Sequence, residues 1–185
     1  MISESSAFHT AIFDALCACL NLTEEEGVNL IHEAYAEPEN APRPPRNRNV
    51  IYWTVLQDPY PDPVSAVYSA AAAAPGTHIP MVCTTLKYKL IIVCYGPACE
   101  EYARRIRHMF YLDGRFFPRQ ILRNAGIYPV PDPPQPQLLH EEEGSLWRRR
   151  ADLTISLRVR DEQAAHSRNS ITTAPAVLIR RDTNA

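Results

Sequence analysis

At 185 residues, 45% hydrophobic and 22% charged, the chain has the length of about one domain and the balance of a soluble globular fold. No apolar run approaches the roughly 18 to 20 residues that span a bilayer, and the segment up to Leu22 carries Glu4 and no basic residue ahead of its apolar part, so neither a membrane span nor a signal peptide is expected. A formal net charge of -2 argues against a dedicated nucleic-acid binder, yet the charges are segregated: residues 1–42 hold eight acids and no Lys or Arg, whereas 43–185 hold thirteen acids and all nineteen bases, -8 against +6.

The prolines, 17 in all, cluster at 38–45, 59–63 and 129–136 and punctuate segments of clean hydrophobic periodicity. Phe8, Ile12, Leu16, Cys19 and Leu20 recur at helical spacing. Thr23, three residues before Glu26, fits a capping box that opens a second helix with Val28, Ile31 and Tyr35 as its stripe. Residues 1–42 are therefore expected to form an acidic helical hairpin. After a Pro/Arg linker, Asn49 to Leu56 is β-branched and aromatic and predicts a strand buried on both faces. Residues 57–80, with Asp58-Pro59, Asp62-Pro63, Ala70 to Ala74 and Pro75-Gly76, have too little apolar content for a core and are expected to be a long inter-strand loop and contact arm.

From Met81 the chain alternates again. Val82, Leu86, Tyr88, Leu90, Ile92 and Cys94 share a face opposite Thr85, Lys87 and Lys89. Gly96-Pro97 then starts a helix with Glu100 and Glu101 at its positive end and Tyr102, Ile106, Met109 and Phe110 inward, stopped at Asp113-Gly114. Pro118 opens a short helix with Ile121 and Leu122 inward, closed by Gly126, and Ile127 to Val130 add a brief strand. Beyond a Pro-rich crossing, Trp147, Ala151, Leu153, Ile155, Leu157 and Val159 alternate with Arg148, Arg150, Asp152, Thr154, Ser156, Arg158 and Arg160, broken only by Arg149. At about 3.3 Å per residue that strand exceeds 40 Å, longer than a small sheet is wide. Residues 171–180 could add an edge strand around Pro175. The expectation is one α/β (α+β) domain: an acidic helical hairpin over 1–42, a mostly antiparallel sheet of long strands backed by helices over 43–162, and a tail over 163–185.

Catalytic constellations are missing from the sequence. The histidines His9, His32, His78, His108, His140 and His166 have no metal-ligand spacing, and there is no Walker loop or GxGxxG. The cysteines Cys17, Cys19, Cys83, Cys94 and Cys99 form no CxxC pair and sit in apolar patterns, which predicts buried thiols; Cys99, at a helix start, is the nearest approach to a nucleophile. The run Glu141-Glu142-Glu143 reads as a solvated acidic loop. Arg104-Arg105-Arg107 and Arg148-Arg149-Arg150 lack the interleaved aromatics of a single-strand platform. No catalytic residue, metal or cofactor is expected. A small α/β nucleic-acid-binding module is the alternative from another class, with an enzyme using Cys99 as a third.

The order of parts carries more than any motif. A Pro/Arg linker leads to Val50–Leu56; a long loop leads to Val93-Cys94-Tyr95-Gly96 and a helix over 98–110; a short helix closes with Asn124-Ala125-Gly126-Ile127; a long strand begins Trp147-Arg148-Arg149-Arg150-Ala151-Asp152-Leu153. Over roughly 42–162 this layout resembles the neck terminator proteins of tailed bacteriophages, within the wider tail-terminator group. Where that pattern often has an acidic residue after the tryptophan, this chain has Arg148. The resemblance implies a non-enzymatic structural protein of the virion neck, made in the bacterial host cytoplasm. It also implies a homo-oligomer, a hexameric ring at the head-proximal end of the tail, whose partners are head connector or stopper proteins, tail tube and possibly sheath proteins, and duplex DNA in passage, with no membrane.

A ring of six needs a heterologous contact, one patch against a different patch, which the opposite charge blocks could supply. Arg104, Arg105, Arg107, Arg148, Arg150, Arg158 and Arg160 are the candidate interface residues on this reading. A channel lined by arginine in six copies would trap DNA through counterion release. The lumen should therefore be acidic or neutral, with Glu141, Glu142 and Glu143 as its candidate lining.

Overall fold

The computed structural model describes residues 2–34, 47–58, 65–71, 78–112, 117–143 and 146–164. The chain falls into two compact units, one of Met1–Ser65 with Thr84–Asp161 and one of Ala66–Cys83 with Glu162–Ala185. In chain order the elements are α1 (Ile2–Leu20), α2 (Glu24–Leu30), β1 (Ile31–Glu33), β2 (Val50–Gln57), β3 (Ser65–Ala71), β4 (His78–Tyr95), α3 (Cys99–Tyr111), α4 (Phe117–Asn124), β5 (Ile127–Pro129), β6 (Gln137–Glu143) and β7 (Leu146–Ala164). The result is an α+β fold with a mostly antiparallel sheet ordered β1-β2-β4-β7-β5, to which β3 adds by pairing with β4 and β6 by pairing with β7. No helix among the described residues is long and apolar enough to cross a membrane.

The core of the first unit follows from strand alternation. Antiparallel pairing of β2 with β4 sets Ile51 against Cys94, Trp53 against Ile92 and Val55 against Leu90, so these side chains share one face. Ile31 of β1, parallel to β2, pairs with Ile51 on that face. Ala151, Leu153, Ile155 and Leu157 of β7 are buried in the same cluster, which α1 joins through Ile12, Leu16 and Cys19, α3 through Ile106 and Phe110, and α4 through Leu122. His9 ties α1 to the sheet, its Nδ1 2.8 Å from a Glu33 carboxylate oxygen and its ring edge-on to Trp53.

The acidic hairpin departs from expectation at its second helix. α1 ends in a Schellman arrangement, with Asn21 at φ 55 and the N–H groups of Leu22 and Asn21 donating to the carbonyls of Cys17 and Ala18. α2 is only seven residues long, and Ile31 leaves it for the sheet, where it is 3% exposed; a helix continued through it would have left that side chain outside the core. Val28, expected inward, is 59% exposed, because α2 packs through Gly27, where an added Cβ would lie 2.3 Å from Cys17 Sγ. Tyr35 lies outside the described residues.

The expected capping box is complete. Thr23 N–H and Oγ1 donate to Glu26 Oε2 at 2.9 and 3.0 Å, and Glu26 N–H donates back to Thr23 Oγ1 at 3.3 Å. Those two bonds from Thr23 hold the Glu26 carboxyl below its ordinary value. A carboxyl lowered in the folded state contributes stability that is present above its unfolded pKa and is lost as pH falls through the folded one. Thr23→Ala should cost about 1 kcal/mol through loss of the N-cap. In an NMR titration it should also return Glu26 toward the ordinary carboxylate range; an unmoved Glu26 titration would contradict the box.

Two further expectations are corrected. Residues 57–80 are not one loop: β3 occupies Ser65–Ala71 and β4 begins at His78 rather than Met81. Small residues carry little strand propensity, and here pairing with β4 supplies what propensity does not. Residues 59–64 and 72–77, with Ala72 to Ala74 and Pro75-Gly76, lie outside the described residues, as do the stop at Asp113-Gly114 and the tail over 171–180. The glutamate run is likewise not a loop but the end of β6. The Pro-rich segment before it is held in place by Val130 N–H donating to Ser156 O, Arg107 Nε donating to Pro134 O at 2.6 Å and Tyr111 Oη donating to Asp132 O.

Candidate assembly surface

β7 extends past the core at its N-terminal end. Burial alternates cleanly from Ala151 to Leu157, but Trp147, on the same face, is 66% exposed. β6 pairs with this extension in antiparallel register, Leu138 with Ala151, His140 with Arg149 and Glu142 with Trp147, so all six share the face on which the core lies. Leu138, at 48% exposure, is a second exposed apolar side chain on that face, separated from Trp147 by the His140–Arg149 pair, and Leu139, at 43%, lies on the opposite face. Sequence reading missed β6. The signal was Leu138-Leu139 and Leu146-Trp147 on either side of the acidic run.

The opposite face of the hairpin is a packed polar cluster around Tyr95. Arg148, 7% exposed, stacks its guanidinium 4.4 Å from the Tyr95 ring centre, and Arg150 lies 5.8 Å from it. Tyr95 Oη donates to Glu141 Oε2 at 2.8 Å. Arg150 grips Asp152 in a bidentate pair, 2.6 Å from Nε and 2.7 Å from NH2, and reaches Glu141 at 3.4 Å through NH1. Burial, with the bond to Glu141, pushes the Tyr95 hydroxyl up to about 12, and the Asp152 carboxylate raises Arg150 further, so at neutral pH the Tyr95 hydroxyl keeps its proton and Arg150 its charge. Across the sheet the Tyr52 ring meets Tyr95 edge-on at 6.1 Å, and His32 lies 5.8 Å from Tyr52. Arg148, the residue that departs from an acidic pattern, is thus seated on an aromatic ring.

The remaining arginines divide by element. On α3, Arg105 Nε donates to Cys19 O at 2.8 Å, Arg107 reaches the Pro-rich segment, and Arg104 pairs with Glu100 one turn back while its side chain stays 65% exposed. Arg158 and Arg160 stand exposed on β7. Of the candidate interface residues, the structure brings Arg148 and Arg150 together with Glu141; it sets Arg104, Arg105 and Arg107 on a separate helix. Glu142 is exposed, and the side chain of Glu143 lies outside the described residues.

The thiols sit where packing needs them. Cys19, Cys94 and Cys99 are 0% exposed and Cys17 is 7% exposed, while the side chain of Cys83 lies outside the described residues. Burial pushes Cys17 up to about 11 and raises Cys19 and Cys94 as well. At Cys99 burial also wins, against the opposing pull of Arg149 and the helix-start N–H bonds, so the thiol is neutral and enclosed, the reverse of what a nucleophile requires. Among the described residues no group of His, Cys, Asp or Glu could hold a metal ion. What the surface offers is an extended hairpin with exposed apolar side chains beside fixed charges, which is the chemistry of protein contact.

A family model described as phage neck terminator protein matches residues 8–180, and the chain belongs to that family. Among curated proteins, none matches the chain significantly. Membership gives the chain a structural role at the neck of the phage virion, in association with other phage head and tail proteins, in a family that is structural and not enzymatic.

Proposed function

Starting from membership of the neck terminator family, we propose that the chain assembles as a closed ring of six subunits at the head-proximal end of the tail. The ring caps the tube, joins it to the head connector and lets duplex DNA pass. The observation that carries this reading is the extension of β6 and β7 beyond the core, with Trp147 66% exposed at its end. A lone domain of this size has nothing to cover such a side chain, whereas an obligate interface, commonly burying more than about 2,000 Å², does. Glu141 to Glu143, at the end of β6, supply an acidic lining for the lumen, with Glu141 also bonded to Tyr95. Arg105, Arg107, Arg148 and Arg150 are engaged within the chain, which favours a protein-contacting surface over a phosphate-binding one.

Light scattering of the purified chain over a wide concentration range should give a species of six subunits, and negative-stain images a ring. A compact monomer at every concentration, together with a virion map lacking such a ring, would overturn the proposal. Tight, steeply salt-dependent binding of random duplex DNA would replace it with the nucleic-acid module.

A further inference from the structure

We infer that residues 176–181 of a second copy of this chain add to the outer edge of β6 as a parallel strand. The inference rests on the ring reading and names the contact that closes it. β6 pairs with β7 along one edge, and among the described residues no strand pairs with its other edge. Every residue from Gln137 to Glu142 is exposed. A strand so placed offers a row of N–H and C=O groups to another chain. The glutamates at its end select the partner, because they repel an acidic strand and admit a basic one. The other outer strands of the sheet fit poorly: β1 would bring Glu33 against the acidic run, and β5 is three residues long and contains Pro129.

Residues 176–181 read Ala-Val-Leu-Ile-Arg-Arg, apolar then basic, where β6 reads Leu138-Leu139-His140-Glu141-Glu142, apolar then acidic. Laid parallel, Val177 stands beside Leu138, Leu178 beside Leu139, Arg180 beside Glu141 and Arg181 beside Glu142. Reversed over the same five positions, the strand would set both arginines against leucines. Val177 and Ile179 suit a strand, and Pro175 precedes the paired stretch, where it removes no bond. The family match runs to residue 180 and so takes in this segment. Two arginines against three glutamates leave the run one charge negative in each subunit, which keeps a lumen lining that does not hold DNA.

Reach favours a second copy over the chain's own tail. β7 ends at Ala164, thirteen residues past Ala151, the partner of Leu138. Thirteen residues of strand measure about 43 Å, and the thirteen from Ala164 to Val177 span at most about 47 Å. A tail would meet its own β6 only when pulled taut over nearly its whole length, a constraint that a neighbour's tail escapes. Each copy then gives a strand and receives one, which is the heterologous contact from which a ring closes.

The test uses the full chain carrying Leu139→Cys and Leu178→Cys together. On adjacent strands their Cα atoms lie about 4.8 Å apart, within the range that a disulfide spans. Mild oxidation should give a ladder of covalent oligomers reaching six on a non-reducing gel, which neither single variant gives. A covalently closed monomer, or a double variant that behaves like the single ones, overturns the contact. Leu178→Pro, which removes a donor from the added strand, should raise the concentration of half-assembly about thirtyfold or more, and Arg181→Glu about tenfold. Adding Glu142→Arg to Arg181→Glu should restore assembly to within about threefold of wild type. Wild-type assembly by Leu178→Pro, or a charge swap that restores nothing, also overturns the contact and leaves the ring in place. A wild-type chain that stays monomeric throughout removes the ring reading and this contact with it.

Discussion

Gly96→Ala should destabilise the protein by about 3 kcal/mol or more, the left-handed backbone and the overpacking each contributing. Gly96 sits between β4 and α3 at φ +102, and a Cβ there would lie 2.6 Å from Asn49 Oδ1, 2.7 Å from Arg48 O and 2.8 Å from Asn49 Cα. Two of those three atoms are backbone, so relief requires moving the start of β2. The third, Asn49 Oδ1, accepts from Ala98 N–H at 3.0 Å at the entry to α3, and that bond would be displaced as well. Gly126→Ala is the control: its φ is +70, but the nearest atom to an added Cβ is Arg160 O at 3.8 Å, so only the conformational cost of about 1–2 kcal/mol remains. Chemical denaturation of both variants checks the pair, and equal losses would mean that the close approach at Gly96 relaxes.

Phe110→Ala should cost about 3–5 kcal/mol. The side chain is fully buried on α3 in the same core cluster as Ile106, Leu122 and the apolar face of β7. Against the usual total of about 5–15 kcal/mol, that is a large share of the stability. A drop in denaturation midpoint with an unchanged slope is the expected signature, and a loss below about 1 kcal/mol would mean that the α3 packing differs from that described.

The sequence was most readable where one face of an element meets the core. β2, β7, α3 and α4 each carry a clear period, interrupted in β7 only at Arg149, and the structure places them within about two residues of expectation, with β7 running on to Ala164. Periodicity reports which face a side chain takes but not whether anything covers that face. Trp147 therefore reads as core from its alternation with Ala151 and Leu153, yet it stands exposed because the core ends at Ala151. The reverse holds for Arg148, whose burial is created by Tyr95, a partner more than fifty positions earlier that no local pattern announces. β3 and β6 were hidden because small and charged residues become strand only through pairing with a neighbour. Ile31 was misplaced because its periodicity suits both a longer α2 and the short parallel strand β1.

The packing partners of α1 also bear on how the chain is made. α1 leaves the ribosome well before α3 and α4, which end at Asn124 and supply side chains that cover its apolar stripe. Arg105, whose Nε donates to Cys19 O, is equally late. At translation speeds of about 5–20 residues per second, Ile12, Leu16 and Cys19 wait on the order of 5–20 seconds for their cover. During that interval the nascent chain presents a greasy stripe beside a strongly acidic segment whose negative charge opposes self-association. A chain with Glu24, Glu25 and Glu26 neutralised is therefore expected to depend more heavily on chaperones to reach the folded state.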